Sequence, residues 1–228
     1  MSLAAVPYSV VVQASPDEIL LAKRPDDLNL KSLADWPSIS EIIVALPNLD
    51  EAGQAQKLLT EWGVKAFVGD AYNVCQRLVE AQNLLAPQSF IVRVLAFWKH
   101  IDLEYIDCLV QACRQSGHDL VAPPLDYDLT MAADVASVAA IERIGRFSGE
   151  TPEIKRAHFN PWGYMEFSPE SFQIRHLEPA PQYGPAQQEA ILAAERSHPE
   201  CEYFGRAYGG SSYHWIGRGL PAGLRILD

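Results

Sequence analysis

The sequence predicts an α/β protein on a mainly parallel sheet, and three observations carry that reading. Short β-branched, apolar runs alternate with helical segments through the first 130 residues. Several of those runs are apolar throughout, as in strands covered on both faces. Glycines and prolines fall between the runs and seldom inside them.

The elements follow in order. Tyr8 to Ala14 reads as a strand, bounded by Ser15-Pro16-Asp17. Glu18 to Lys23, with the run Ile19-Leu20-Leu21, reads as its hairpin partner. Glu41 to Leu46 is a wholly buried strand. Asn48-Leu49-Asp50-Glu51 opens a helix with acids in its first turn, where the helix dipole favours them. Leu58, Leu59 and Trp62 form its apolar face and Gly63 ends it. Val64 to Val68 is a strand, Asn73 to Leu85 a helix and Phe90 to Phe97 a strand. Asp102 caps a helix that runs to about Ser116 and stops at Gly117. Leu120-Val121-Ala122 is a strand ending at Pro123-Pro124.

The last hundred residues have a different texture. Asp134 to Arg146 reads as a helix, Phe159 to Phe172 as an aromatic, proline-punctuated stretch and Ala186 to Arg196 as a helix. Residues 205 to 223 are rich in glycine and aromatics. A single domain over 1–228 is expected, with a βα core to about residue 130 and an elaborated C-terminal part.

Composition excludes several classes. With 18 Lys+Arg against 29 Asp+Glu the net charge is -11, and no basic cluster exceeds a dipeptide, which argues against nucleic acid. No apolar run approaches the ~20 residues that span a bilayer, and no secretory leader is visible. Cys75, Cys108, Cys113 and Cys201 form no CxxC pair. A cytoplasmic protein without a membrane partner is expected. Cys75 and Cys108 are expected on buried helix faces.

The middle of the chain resembles a known family. Gly63-Val64-Lys65-Ala66-Phe67-Val68-Gly69-Asp70, then Asn73-Val74-Cys75-Gln76-Arg77-Leu78, is similar to the Gly-Val-x-Val-Phe-Arg-Gly-Ser-x-Asp-Asp-Val-Leu-x-Arg-Tyr run of cytidylyltransferases. That family includes the spore-coat polysaccharide proteins and the CMP-sugar-acid synthetases. Val92-Arg93-Val94 with Ile101-Asp102 and Ile106-Asp107 resembles its Val-Arg-Val-Thr-Gly-Asp-x-Pro-Leu-Ile-Asp and the following helix. Arg156-Ala157-His158-Phe159-Asn160-Pro161-Trp162 and Ser168-Pro169-Glu170-Ser171-Phe172-Gln173-Ile174 continue the order, so the likeness covers about residues 39 to 176.

The resemblance implies a three-layer α/β/α sandwich of the nucleotide-diphospho-sugar transferase type. It implies CTP plus a sugar acid going to a CMP-sugar and pyrophosphate with Mg²⁺, and pairing of two copies as a homodimer. It assigns nucleotide contacts to Gly69, Arg77 and Arg93, substrate contacts to Asp134 and His158, and a metal role to Asp228, while Lys23 and Arg24, the nearest cations after the first strand, are the candidates to take over phosphate contacts.

The departures are as informative. The family follows its first strand with a glycine-rich loop bearing Arg and Lys, which lets backbone N–H groups and cations meet a triphosphate. Here Ser15-Pro16-Asp17-Glu18 follows, and the first glycine is Gly53. The family's metal-holding Gly-Asp falls on Ala96-Phe97, and Phe cannot supply the oxygen ligand that Mg²⁺ requires. The family arginine after its strand phenylalanine is Val68, and its paired aspartates are Tyr72 and Asn73.

Each candidate also has an ordinary reading. Arg93 is either a nucleotide contact or a strand arginine paired with an acid. Arg77 is a phosphate contact or a helix-surface cation, and His158 a substrate contact or a structural histidine. Asp134, near Asp126 and Asp128, is a substrate contact or a helix N-terminal acid. His198-x-x-Cys201 has metal-like spacing without a second pair of ligands. Gly209-Gly210-Ser211-Ser212-Tyr213-His214 reads as a turn. The expectation is therefore a cytidylyltransferase-like protein impaired in catalysis, with a non-catalytic sugar-nucleotide-binding or partner-binding domain as the alternative, either alone or as part of a larger enzyme.

Overall fold

The computed structural model describes residues 6–97, 101–124 and 133–177. Chain order is β1 (Tyr8–Gln13), α1 (Pro16–Leu21), a 3-10 turn (Pro25–Asp27), α2 (Leu30–Ala34), β2 (Ile39–Pro47), α3 (Ala52–Glu61), β3 (Lys65–Gly69), α4 (Val74–Gln82) and β4 (Phe90–Leu95). It continues through α5 (Leu103–Ser116), β5 (Leu120–Ala122), β6 (Asp134–Ser137), α6 (Val138–Gly145), α7 (Pro152–Phe159), α8 (Pro161–Glu166) and β7 (Ile174–His176).

Local chemistry sets the helix ends. Asn73, Asp102, Ser137, Thr151 and Asn160 each accept a backbone N–H three residues on, which satisfies donors that the first turn leaves open. Gly117 ends α5 at φ 65°, a left-handed conformation that glycine adopts without strain.

The seven strands form one sheet in the order β3-β2-β1-β4-β6-β5-β7. β3, β2, β1 and β4 run parallel, β6 runs antiparallel to β4 and β5, and β7 pairs parallel with β5. Side chains alternate across the sheet, so each face has its own core. Val10, Val12, Val92 and Val94 pack with Ile19, Leu33, Leu59, Ile106 and Leu109, under α1, α2, α3 and α5. Val11, Ile43, Ile91 and Ala136 pack with Leu78, Ile141, Trp162 and Met165, under α4, α6 and α8. The result is a helix–sheet–helix sandwich with apolar layers on both sides of a mainly parallel sheet.

Three expectations are corrected. The predicted hairpin partner at Glu18 to Lys23 is helix α1, because Ser15 and Glu18 close a reciprocal capping box around its first turn. Asp134 does not start a helix. It opens β6, and the helix begins at Val138 behind its cap Ser137. Cys108 is exposed, since the buried stripe of α5 runs through Tyr105, Ile106, Leu109, Val110, Ala112 and Cys113. Cys75 is buried, as expected. The expectations for Asp126, Asp128, the helix at 186–196, His198-x-x-Cys201, residues 205–223 and Asp228 lie outside the described residues.

Candidate functional site

Connections from β1 lead to β2 and β3 on one side, while β4 lies on the other. In open α/β sheets the crevice beyond the strand carboxyl ends at such a reversal is where ligands bind. The residues there are Gln13 and Ala14 after β1, Gly69 and Asp70 after β3, and Leu95 to Phe97 after β4.

The two central strand ends are tied together. Ala96 N–H donates to Gln13 O at 3.0 Å, and Asn29 donates through its backbone N–H to Ala96 O at 3.1 Å and through Nδ2 to Leu95 O at 2.6 Å. Leu95, Ala96 and Phe97 are all buried. No carboxylate follows Val94 before Phe97, and no group of three or more His, Cys, Asp or Glu side chains able to hold a metal occurs among the described residues. The described residues therefore do not fit the Mg²⁺ that the resemblance implies.

After β1, Ser15 N–H donates to Glu18 Oε2 at 2.5 Å, and Glu18 N–H donates to Ser15 Oγ at 3.2 Å. Glu18 is only 6% exposed. Burial pushes its carboxyl up to about 7, against the opposing pull of the Ser15 N–H. Where the resemblance expects glycines and cations, the chain thus places its own acidic side chain. Lys23 and Arg24 follow α1 in solvent. Lys23 N–H bonds Asp27 Oδ2 at 2.9 Å, and Arg24 Nε reaches Asp27 Oδ1 at 3.3 Å.

At the β3 end the structure brings Gly69, Arg77 and His158 around Asp70. Arg77 is buried, not a helix-surface cation. Its Nη1 donates to Asp70 O at 2.5 Å and to Ala71 O at 3.4 Å, bracing the loop from α4. A Cβ on Gly69 would stand 2.5 Å from Phe67 Cε1 and 3.0 Å from Arg77 Cγ, so a side chain here would force the Phe67 ring or the Arg77 stem to move. Asp70 Oδ1 accepts N–H groups from Asn73 at 2.6 Å and Tyr72 at 2.7 Å. These two bonds, first Asn73 and then Tyr72, hold its carboxyl below the usual range, aided by the charges of Arg77 and His158. His158 Nε2 is buried and has no hydrogen-bond partner among the described residues.

Arg93 and Asp134 lie together elsewhere. They are register partners across β4 and β6, joined through Arg93 Nε at 3.1 Å from Asp134 Oδ2 and by a second contact from Nη2. The guanidinium carbon sits 4.1 Å from the centre of the Trp162 ring. Lys23 and Arg24, the Asp70 group and the Arg93 pair are thus held by three separate sets of contacts.

Sequence reasoning missed three residues here, Ser15, Glu18 and Trp162. Ser15-x-x-Glu18 is a capping-box signature and was legible as such. Trp162 stacks on an arginine 69 positions away (162 minus 93), and no local signal marks that contact.

No family model matches the chain, and no curated protein matches it in sequence. Solved structures do match its shape. A cytidylyltransferase from Leptospira borgpetersenii aligns over 86% of this chain and 96% of its own, with a TM-score of 0.65 and 14% identity. A CMP:2-keto-3-deoxy-manno-octonic acid synthetase solved with CTP covers 83% of this chain and 97% of its own, with a TM-score of 0.55 and 13% identity. A 4-diphosphocytidyl-2C-methyl-D-erythritol synthase from Anaerococcus prevotii covers 84% and 95%, with a TM-score of 0.51 and 13% identity. At these identities the likeness is one of architecture. The chain has the mainly parallel α/β fold of these nucleotidyltransferases.

Proposed function

We propose that this chain is a divergent cytidylyltransferase-like protein of sugar or surface-polysaccharide metabolism, impaired in the transfer of a cytidylyl group to a sugar acid. The supporting observation is what stands at the two reaction-bearing strand ends. Glu18 Oε2 occupies the Ser15 N–H after β1, and buried Phe97 follows β4. Phosphoryl-type transfer depends on positioning and charge stabilisation. Losing one electrostatic donor lowers rate by ~10²–10³, and here both the cationic loop and the metal carboxylate are replaced.

Within this reading, Lys23 and Arg24 are the solvent-facing cations after the first helix that can reach a phosphate. Gly69 and Arg77 shape the β3 loop, and His158 stands beside Asp70 as the candidate substrate contact. Arg93 and Asp134 support the site from the sheet, and a metal role for Asp228 belongs to the same reading. The protein acts in the cytoplasm on a small-molecule nucleotide or sugar, as a homodimer. The alternative, a non-catalytic domain that binds a sugar nucleotide or a partner, is favoured by Tyr72, which is 80% exposed beside Asp70.

Thermal unfolding with CTP and the other nucleoside triphosphates, each with and without MgCl₂, tests binding. A ligand at 100 times its dissociation constant adds about 2.7 kcal/mol, a shift of several degrees for a domain of this size. The expected result is a CTP shift that does not require Mg²⁺. No shift with any nucleotide would favour the partner-binding alternative.

A further inference from the structure

The β1–α1 turn encloses a carboxylic acid, Glu18, that has no cationic partner among the described residues. Glu18 is buried, and its chain neighbours Ala14, Ile19 and Ala22 belong with Val12 and Leu46 to the apolar layer on this face of the sheet. The charged side chain acting on it is Asp17, which opposes its ionisation. Helix α3 packs against α1, but its ionisable residues Lys57 and Glu61, with Glu51 at its start, are exposed, and Lys57 lies 4.0 Å from Glu61. Beyond α1, Lys23, Arg24 and Asp26 are exposed; the Arg24 side chain pairs with Asp27, and Lys23 meets Asp27 only through its backbone N–H.

A protonated Glu18 satisfies this environment, because its carbonyl oxygen still accepts the Ser15 N–H while no net charge is buried. An ionised Glu18 keeps that hydrogen bond but loses hydration, and burying an unpaired charge outweighs one capping bond. The low-energy response is for the carboxylate to swing into water, which opens the capping box and releases Ser15 N–H.

We propose that Ser15 and Glu18 form a proton-operated latch on the turn after β1, closed when Glu18 is protonated and open when it is ionised. The turn follows the carboxyl end of β1 at the sheet's reversal point, so the latch sets the backbone there. The inference stands on the geometry of the turn and does not depend on the proposed nucleotide reaction.

The test is NMR on the whole chain between pH 5 and 9. The Glu18 carboxyl carbon should titrate near neutral pH. Protection of the Ser15 amide, corrected for intrinsic exchange, should fall at least tenfold across the same interval. In Glu18→Gln, whose amide oxygen keeps the bond to Ser15 without titrating, protection should stay flat. A carboxyl that titrates below pH 5 overturns the proposal, and so does a loss of Ser15 protection that is equal in Glu18→Gln. The wild-type carboxyl titration decides the matter even if the variant fails to fold.

Discussion

Arg93 on β4 and Asp134 on β6 face each other across an antiparallel strand pair, and their side chains form an ion pair that is 5% and 3% exposed. The Trp162 ring covers the guanidinium at 4.1 Å. The sheet reverses direction between these strands, so the pair and its aromatic lid join the parallel half to the antiparallel strand.

Breaking that pair from one side leaves a buried charge unmatched. Asp134→Leu or Arg93→Met should destabilise the fold by about 3–5 kcal/mol, while Arg93→Met with Asp134→Leu should recover most of the loss. Urea unfolding of the three variants checks this through the non-additivity of the double change.

Gly69→Ala should destabilise by about 1–3 kcal/mol, because the new methyl would overlap the Phe67 ring and press on the Arg77 stem. Gly53→Ala, where a Cβ meets nothing within 4 Å, should be neutral or slightly stabilising. Thermal unfolding of the two variants gives the comparison, and equal effects would refute the steric account.

Stability should fall as pH rises through the neutral range, and Glu18 gives the sign. Its carboxyl is raised from 4.5 unfolded to about 7 folded, so the native state holds the proton more tightly. The contribution is fully present below about pH 4.5 and is lost by pH 7. The difference corresponds to about 3 kcal/mol. Glu18→Gln should therefore gain on the wild type as pH rises from 5 to 8, as read by denaturant midpoints. A gap that stays constant with pH would contradict this.

Thiol reagents should separate the cysteines by position. Burial pushes Cys75 up to about 12 and Cys113 up to about 11, whereas Cys108 is exposed. Peptide mapping after brief alkylation at pH 8 should find Cys108 modified and Cys75 and Cys113 spared until denaturant is added.

Much of the fold was legible because local chemistry repeats global architecture. Asp102 and Gly117 bracket α5 where their types predict, and the apolar run around Val44 is a central strand. The helix α1 was misread because six residues are too few to show a 3.6-residue period, and Ile19-Leu20-Leu21 reads equally as strand. Cys108 could have been placed correctly, since it falls off the stripe that Tyr105 and Leu109 define. The β6 strand was hidden because its four residues abut the apolar helix α6. Gly69 and Arg77 were candidates through the family resemblance, and that the Arg77 stem lies against Gly69 shows only in the structure. The Arg93–Asp134 pair joins strands far apart in sequence, so only the folded sheet reveals that two candidates for separate roles bind each other.

The most direct test of the central claim is pyrophosphate release from CTP in the presence of MgCl₂ and a panel of sugar acids, run beside an active cytidylyltransferase. With the acid Glu18 in the turn where the family carries cations and Phe97 at the β4 end, the account predicts no release above background. Mg²⁺-dependent release at a rate comparable to the control would show that other residues assemble the missing charge and would contradict it.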